Sequence, residues 1–310
     1  MNTPAMVTLS THAMATRFEL LLYGADEVRL RAAGEEALSE IERLEAQLSC
    51  YLTDSEISWI NHRADLEAVR VEPRLFHLLK HCAAFSRATD GAFDITIGPL
   101  MRAWHFAGDT GAVPSTDELE AARRLTGMHQ IELDPEAFTV RFTQTGVRLD
   151  LGAYGKGYAI ERAVDSLKEN GVASALLHGG TSSAAVIGTP PAQASWHIQL
   201  SEPFKIADQF ITLDLVSEAL SVSATHGKMF TADGQTYGHV IDPRTGYPVN
   251  RALAAAVAGQ SASTCEVLST ALLVLGPAWL DEMTERFVGY RGAVAYQENE
   301  ADVSLARRGL

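Results

Sequence analysis

Four short stretches of this chain put polar residues where chemistry could be done. The first, "LDLGAYGKGYAIERAV" (Leu149–Val164), sets Lys156 between two glycines and Asp150 six residues upstream, just before an amphipathic run. A glycine-rich turn that opens a helix presents backbone N–H groups to an anion, and a lysine adds a point charge. Two familiar nucleotide loops are absent. A P-loop needs G-x-x-x-x-G-K-[ST], and here Asp150 stands where the first Gly belongs and Gly157 where the Ser/Thr belongs. The spacing of Gly152, Gly155 and Gly157 does not make G-x-G-x-x-G either. Taken alone, the stretch suits an anion-binding turn and a tight strand-to-helix connection with a solvated Lys156 equally well.

The other three stretches also interrupt apolar patterns. "TDGAFDITIGPL" puts Asp94 beside Phe93 in a turn bounded by Gly and Pro, as a ligand contact or an Asx-turn plugged by the ring. "TYGHVIDPRTGYPV" joins His239 to an Asp242–Pro243 turn, where a single His can be a base or a structural residue. "STCEVLSTALLVLG" places Glu266 and Thr270 four apart, on one helix face. Ser269 is adjacent and points about 100° away. A carboxylate and a hydroxyl on one face are hard oxygen donors suited to Mg²⁺; the alternative is a helix cap followed by an exposed pair.

These residues need elements to hold them. "TRFELLLYG" reads as a strand, and "ADEVRLRAAGEEALSEIERLEAQLS" as a long amphipathic helix. "YLTDSEISWINHR" becomes helical after a cap at Asp54 or Ser55, and "PRLFHLLKHCAAFSRAT" is another helix. A further helix is capped by Ser115 or Thr116 ahead of Glu118. Strands follow at "HQIELD", "TVRFTQ" and "VRLDL", then a helix from about Gly157 to Asn170 that stops at Gly171. "SALLHGGTSSAAVIG" and "SWHIQLSEP" suggest strands meeting at Gly turns, and a strand near "GAVAYQ" closes the chain. The expected architecture is α+β, with mixed sheets and packed helices. It forms a single domain over residues 1–310, or two intimate lobes, with a loosely held tail at 298–310.

At 310 residues, 46% apolar and 21% charged, the chain can bury a full core. Its net charge of −14 argues against an extended nucleic-acid footprint and means that an anionic ligand needs local help. Three cysteines without C-x-x-C give neither a disulfide framework nor a zinc site, and suit a reducing compartment. No basic segment precedes an apolar one at the N-terminus, and no apolar run reaches about 18 residues. The expectation is a cytoplasmic protein without a membrane span, or a periplasmic or membrane-anchored one if a leader precedes Met1.

In order along the chain, these pieces resemble the ApbE-type flavin transferases, which move FMN from FAD onto a protein threonine. "MATRFEL" is similar to the family's Met-Gly-Thr opening, with Ala15 in place of Gly, and "LSCYLTDSEISWIN" to its Leu-Ser-x-Tyr … Asp-Ser-Glu run. "TDGAFDITIGPLMRAW", "LDLGAYGKGYAIERAVDSL", "HGG", "GHVIDPRTGYPV" and "EVLSTALLVLG" complete the resemblance, which spans nearly the whole chain. It is that of a divergent member. Glu266 stands where the metal carboxylate is usually Asp, "SVSATHGKM" lacks the family's Thr-Ser-Gly, and "HGGTSS" lacks the Asn or Asp that commonly follows Gly-Gly.

The resemblance implies an α+β fold, FAD as substrate, Mg²⁺ as metal and an acceptor protein carrying a threonine. It implies FAD contacts at Met14, Tyr51, Ala92, Phe93, Asp94, Asp150, Lys156 and Ile241, and a metal site of Ala153 (through its carbonyl), Glu266 and Thr270. Ser269 occupies a position that is an additional acidic ligand in some members. His239 is the candidate base or orienting group for the threonine hydroxyl, with Lys156 and Asp150 acting beside it. Two other activities use the same residues: an FAD pyrophosphatase releasing FMN and AMP, and a non-catalytic FAD-binding protein.

Overall fold

The computed structural model describes residues 4–108, 110–206, 209–298 and 302–310. The chain opens with β1 (Ala5–Ala13), β2 (Thr16–Gly24), α1 (Glu27–Leu48), α2 (Glu56–Arg63), β3 (Val69–Arg70) and α3 (Pro73–Ala88). Next come α4 (Gly98–Ala103), α5 (Thr116–Arg124), β4 (Ile131–Asp134), β5 (Thr139–Phe142) and α6 (Gly155–Glu169). The strands β6 (Ser174–Gly179), β7 (Ser183–Ile187), β8 (Trp196–Gln199), β9 (Lys205–Ile206), β10 (Gln209–Phe210), β11 (Thr212–Leu215) and β12 (Ala219–Ala224) follow. The remainder is β13 (Met229–Ala232), β14 (Gln235–Gly238), β15 (Ala252–Gly259), α7 (Ala262–Leu275), α8 (Leu280–Arg286), β16 (Arg291–Gln297) and β17 (Val303–Arg308).

Two compact units divide the chain. Unit 1 comprises Met1–Glu45, Tyr154–Ser223 and Arg251–Leu310, and unit 2 comprises Ala46–Ala153 and Ala224–Asn250. Helices and separate antiparallel sheets make the fold α+β.

Unit 1 is built on an eight-stranded sheet in the order β1-β2-β6-β7-β12-β15-β16-β17. Its inner strands are apolar on both faces: every residue of β7 is buried, and β15 ("ALAAAVAG") is almost wholly so. The alanines of β15 leave room for α7, which packs on that strand, and α6 packs on both α7 and β7. α7 is buried nearly all round, a core helix: its first twelve positions, Thr270 apart, are enclosed. A two-residue turn at Met14 and Ala15 joins β1 to β2, with φ of 50° and 56°, the left-handed pair that a tight hairpin requires.

Unit 2 carries the three-stranded sheet β3-β5-β4, the hairpin β13-β14 and helices α2 to α5. A buried cluster of Leu100, Trp104, Phe106, Leu119, Ala122 and Ile241 organises one part of it. Ser55 caps α2 by accepting from Ser58 N, and Ser115 with Glu118 makes a reciprocal capping box on α5, as the sequence predicts.

Two expectations need correction. "VRLDL" is not a strand: residues 147–151 run through the interior without a strand partner. The side chain of Asn61 takes that role, donating to Leu149 O (2.9 Å) and accepting from Leu149 N (2.7 Å), while Asp150 N donates to Ile95 O. Nor is the C-terminal segment loosely held. Residues 303–308 form β17, paired along its whole length with β16; residues 299–301 lie outside the described residues. Among those described, no helix is long and apolar enough to cross a membrane.

Candidate functional site

The implied residues fall into two groups, one in each unit. Unit 1 holds Met14, Lys156, Glu266, Ser269 and Thr270; unit 2 holds Tyr51, Ala92, Phe93, Asp94, Asp150, Ala153, His239 and Ile241.

In unit 1, Lys156 lies in the first turn of α6, whose N-terminus has no side-chain cap. Its Nζ donates to Glu266 Oε1 at 2.8 Å. The other carboxylate oxygen accepts from Ser183 Oγ at 2.9 Å. Glu266 is thus no exposed helix residue: 5% of its side chain meets solvent, against 25% of that of Lys156. The carboxylate beside it holds the Lys156 ammonium above its ordinary range, more than burial lowers it. Hydroxyls continue the network. Ser223 Oγ lies 2.8 Å from Ser269 Oγ and 3.1 Å from Thr270 Oγ1, and Ser269 donates to Ser221 Oγ. The start of α7 is fixed to α6 by Glu161, which accepts from Ser263 N and from the hydroxyls of Ser261 and Ser263. At the hairpin, Met14 N donates to Glu45 Oε1 at 2.6 Å.

This donor set suits a hard cation. Glu266, Ser183, Ser223, Ser269 and Thr270 offer only oxygen, and each carboxylate oxygen keeps a lone pair beyond its present bond. Among the described residues no three His, Cys, Asp or Glu side chains gather as a metal cage. A hard cation held by a single carboxylate completes its shell with water and phosphate oxygens.

In unit 2, Asp150 Oδ1 accepts from Gly152 N at 2.8 Å, and the Tyr51 hydroxyl donates to Oδ2 at 3.4 Å. Tyr51 as a residue is 60% exposed. Burial of its hydroxyl, and then the Asp150 charge, raise the phenol above its ordinary range. Asp94 is enclosed and fully engaged: Oδ1 accepts from Thr96 N and Thr96 Oγ1, and Oδ2 from Ser86 Oγ and Met128 N. It therefore builds the Asx-turn and ties it to the 126–128 loop. The side chains of Ala92, Phe93 and Ile241 are buried, so these positions can offer a ligand little beyond backbone. His239 is half-buried and its backbone N–H donates to Lys228 O. The Asp-Pro turn after it is locked by Gly246 N donating to Asp242 O, by Arg244 on the Asp242 carboxylate, and by Trp104 Nε1 donating to Gly246 O.

Sequence reasoning missed Ser183, Ser221 and Ser223. Their only local signal was a hydroxyl at alternate positions of an apolar strand ("LSVSA") and after the "HGG" turn. It also missed a cavity of about 490 Å³ in unit 2, bordered by Arg123, Arg124 and Arg244 together with Asp94.

The ApbE family model matches residues 14–292. A Klebsiella pneumoniae protein named FAD:protein FMN transferase is 31% identical over 254 residues, covering 82% of this chain and 77% of its own. Among solved structures, an ApbE protein of Thermotoga maritima superimposes with a TM-score of 0.88 at 27% identity, covering 98% of this chain and 97% of the other. The flavinyl transferase ApbE of Pseudomonas stutzeri gives 0.85 at 26% identity, covering 99% and 96%. Motif order, fold and a match over nearly the full length agree: the chain belongs to the ApbE family.

Proposed function

We propose that this protein is an FAD:protein FMN transferase, moving FMN from FAD to a threonine hydroxyl of an acceptor protein with release of AMP. The observation that carries this reading is the buried carboxylate of Glu266, held between Lys156 and Ser183 beside an uncapped helix N-terminus. An acidic protein that handles a diphosphate needs concentrated positive potential, and the first turn of α6 supplies it through N–H groups and Lys156.

In this reaction the threonine oxygen attacks the FMN-side phosphorus, and the bond from that phosphorus to the bridging oxygen breaks. AMP departs with the electron pair, and the hydroxyl proton goes to a base, for which His239 is the candidate. Glu266 and Thr270, with Ser269, would hold Mg²⁺, which when bound supplies charge against the diphosphate oxygens. Lys156 binds and orients the diphosphate. Tyr51 offers an exposed ring to a flat ligand, and its hydroxyl keeps Asp150 oriented as an acceptor.

The test is incubation with FAD, Mg²⁺ and an acceptor bearing the family-type Asp-x-x-Ser/Thr-Ala/Gly-Thr motif, read as in-gel flavin fluorescence. A fluorescent acceptor band that disappears when the acceptor threonine is replaced by valine is expected. Free FMN and AMP with no labelled acceptor, or intact FAD after prolonged incubation, would refute the transferase reading.

A further inference from the structure

Glu266 and Lys156 are unequal partners. The carboxylate is enclosed and fixed on its second oxygen by Ser183, whereas Lys156 keeps a path to solvent along a flexible four-carbon stem. A carboxylate so enclosed is costly without a positive charge against it, so a cation at Oε1 is strongly favoured. Oε1 keeps a lone pair, but an ammonium and a divalent ion repel each other, and Lys156 stands 2.8 Å from that oxygen, so both cannot sit against it at little cost.

We infer that Lys156 is the stand-in for the divalent ion at Glu266, and that a diphosphate drawing Lys156 away is what admits the ion. The inference rests on Glu266 being a metal ligand, as proposed above. Only the side chain needs to move. α6 is pinned to α7 by the close approach of Gly157 and, one turn on, by Glu161, so Lys156 swings from a fixed Cα. Anion and cation then favour each other's binding by the same factor, because each removes the obstacle to the other. A metal-loaded site without nucleotide, or a nucleotide-loaded site without metal, is disfavoured, which guards the reactive diphosphate until both are present.

Two measurements test the exchange, and neither reads turnover. In EDTA, FAD affinity is followed by flavin fluorescence for the wild type and for Glu266→Gln, which keeps the shape and the Ser183 contact but releases Lys156. The variant is expected to bind FAD at least about fivefold more tightly than wild type. Equal or weaker binding overturns the exchange. In the second, Mn²⁺ alone is titrated by its free-ion electron paramagnetic resonance signal. Lys156→Met is expected to bind it at least about tenfold more tightly than wild type, a gain lost in Lys156→Met/Glu266→Gln. Affinity no greater than wild type overturns the proposal, and if Lys156→Met does not fold by circular dichroism the EDTA measurement decides. FMN transfer by the wild type is scored separately, so an active transferase that fails both measurements loses only the exchange.

Discussion

At the start of α6, Gly157 lies so close to α7 that a Cβ on it would stand 2.6 Å from the carbonyl oxygen of Ala262 and 2.8 Å from Glu266 Cβ. Space, not backbone conformation, requires glycine there. This approach sets the span across which Lys156 reaches Glu266.

Gly157→Ala therefore poses a contest between two effects. Alanine gains up to about 1 kcal/mol of helix propensity over glycine. Against it stands overpacking of about 1–3 kcal/mol, and the obstructing atom is a backbone oxygen that cannot rotate aside. Net destabilisation in a denaturant titration is expected, together with weaker FMN transfer as α6 and α7 separate. A variant as stable as the wild type would show that the two helices are free to part.

Asn61 offers a second test, through Leu149. Its carboxamide makes both hydrogen bonds to the Leu149 backbone in a buried setting. Asn61→Ala leaves a buried N–H and a buried C=O without those partners, at about 1–3 kcal/mol each. A loss of at least about 2 kcal/mol is expected, with faster amide exchange at Leu149 and Asp150. Unchanged exchange at Leu149 would mean that other groups hold the segment.

The same pair explains part of what the sequence could and could not reveal. "VRLDL" alternates as a strand does, and periodicity reports the alternation correctly. It cannot report that the partner is a side chain 88 residues away. β17 went unseen for the opposite reason: an edge strand whose faces are both partly exposed carries little apolar pattern. By contrast α7 and the Ser115 cap were legible, because a long apolar run and a capping box are local signals. Glu266 could be placed on a helix face from its spacing. Its engagement with Lys156, 110 residues distant, and with Ser183 on a neighbouring strand is tertiary information.

Elsewhere in unit 1, Arg291 grips Glu218 through both guanidinium NH₂ groups, one at 2.8 Å. These hydrogen bonds hold the Glu218 carboxyl below its ordinary 4.5, outweighing the burial that raises it. A carboxyl whose folded value is depressed contributes stability that is full above the unfolded value. That contribution disappears as pH falls through the folded value. Glu218→Gln is expected to cost about 1–2 kcal/mol at neutral pH. The gap to wild type should shrink as the pH is lowered past 4.5. A gap that stays constant from pH 7 down to about pH 3 would mean that the pair's charge contributes nothing.

The three thiols make the last prediction. Cys82 and Cys265 are fully enclosed, and burial holds both well above the ordinary thiol range. Cys50 is half-buried beside Tyr51, and burial, then the Asp150 charge, push it up to about 12. The thiolate is the reactive form, so at pH 8 only a very small fraction of Cys50 can attack an electrophile. The native protein should therefore react with Ellman's reagent far more slowly than free cysteine, whereas the denatured chain should release three equivalents promptly. One native thiol reacting at the free-cysteine rate would place Cys50 in open, electropositive surroundings. The Asp150 carboxylate could not then lie against it.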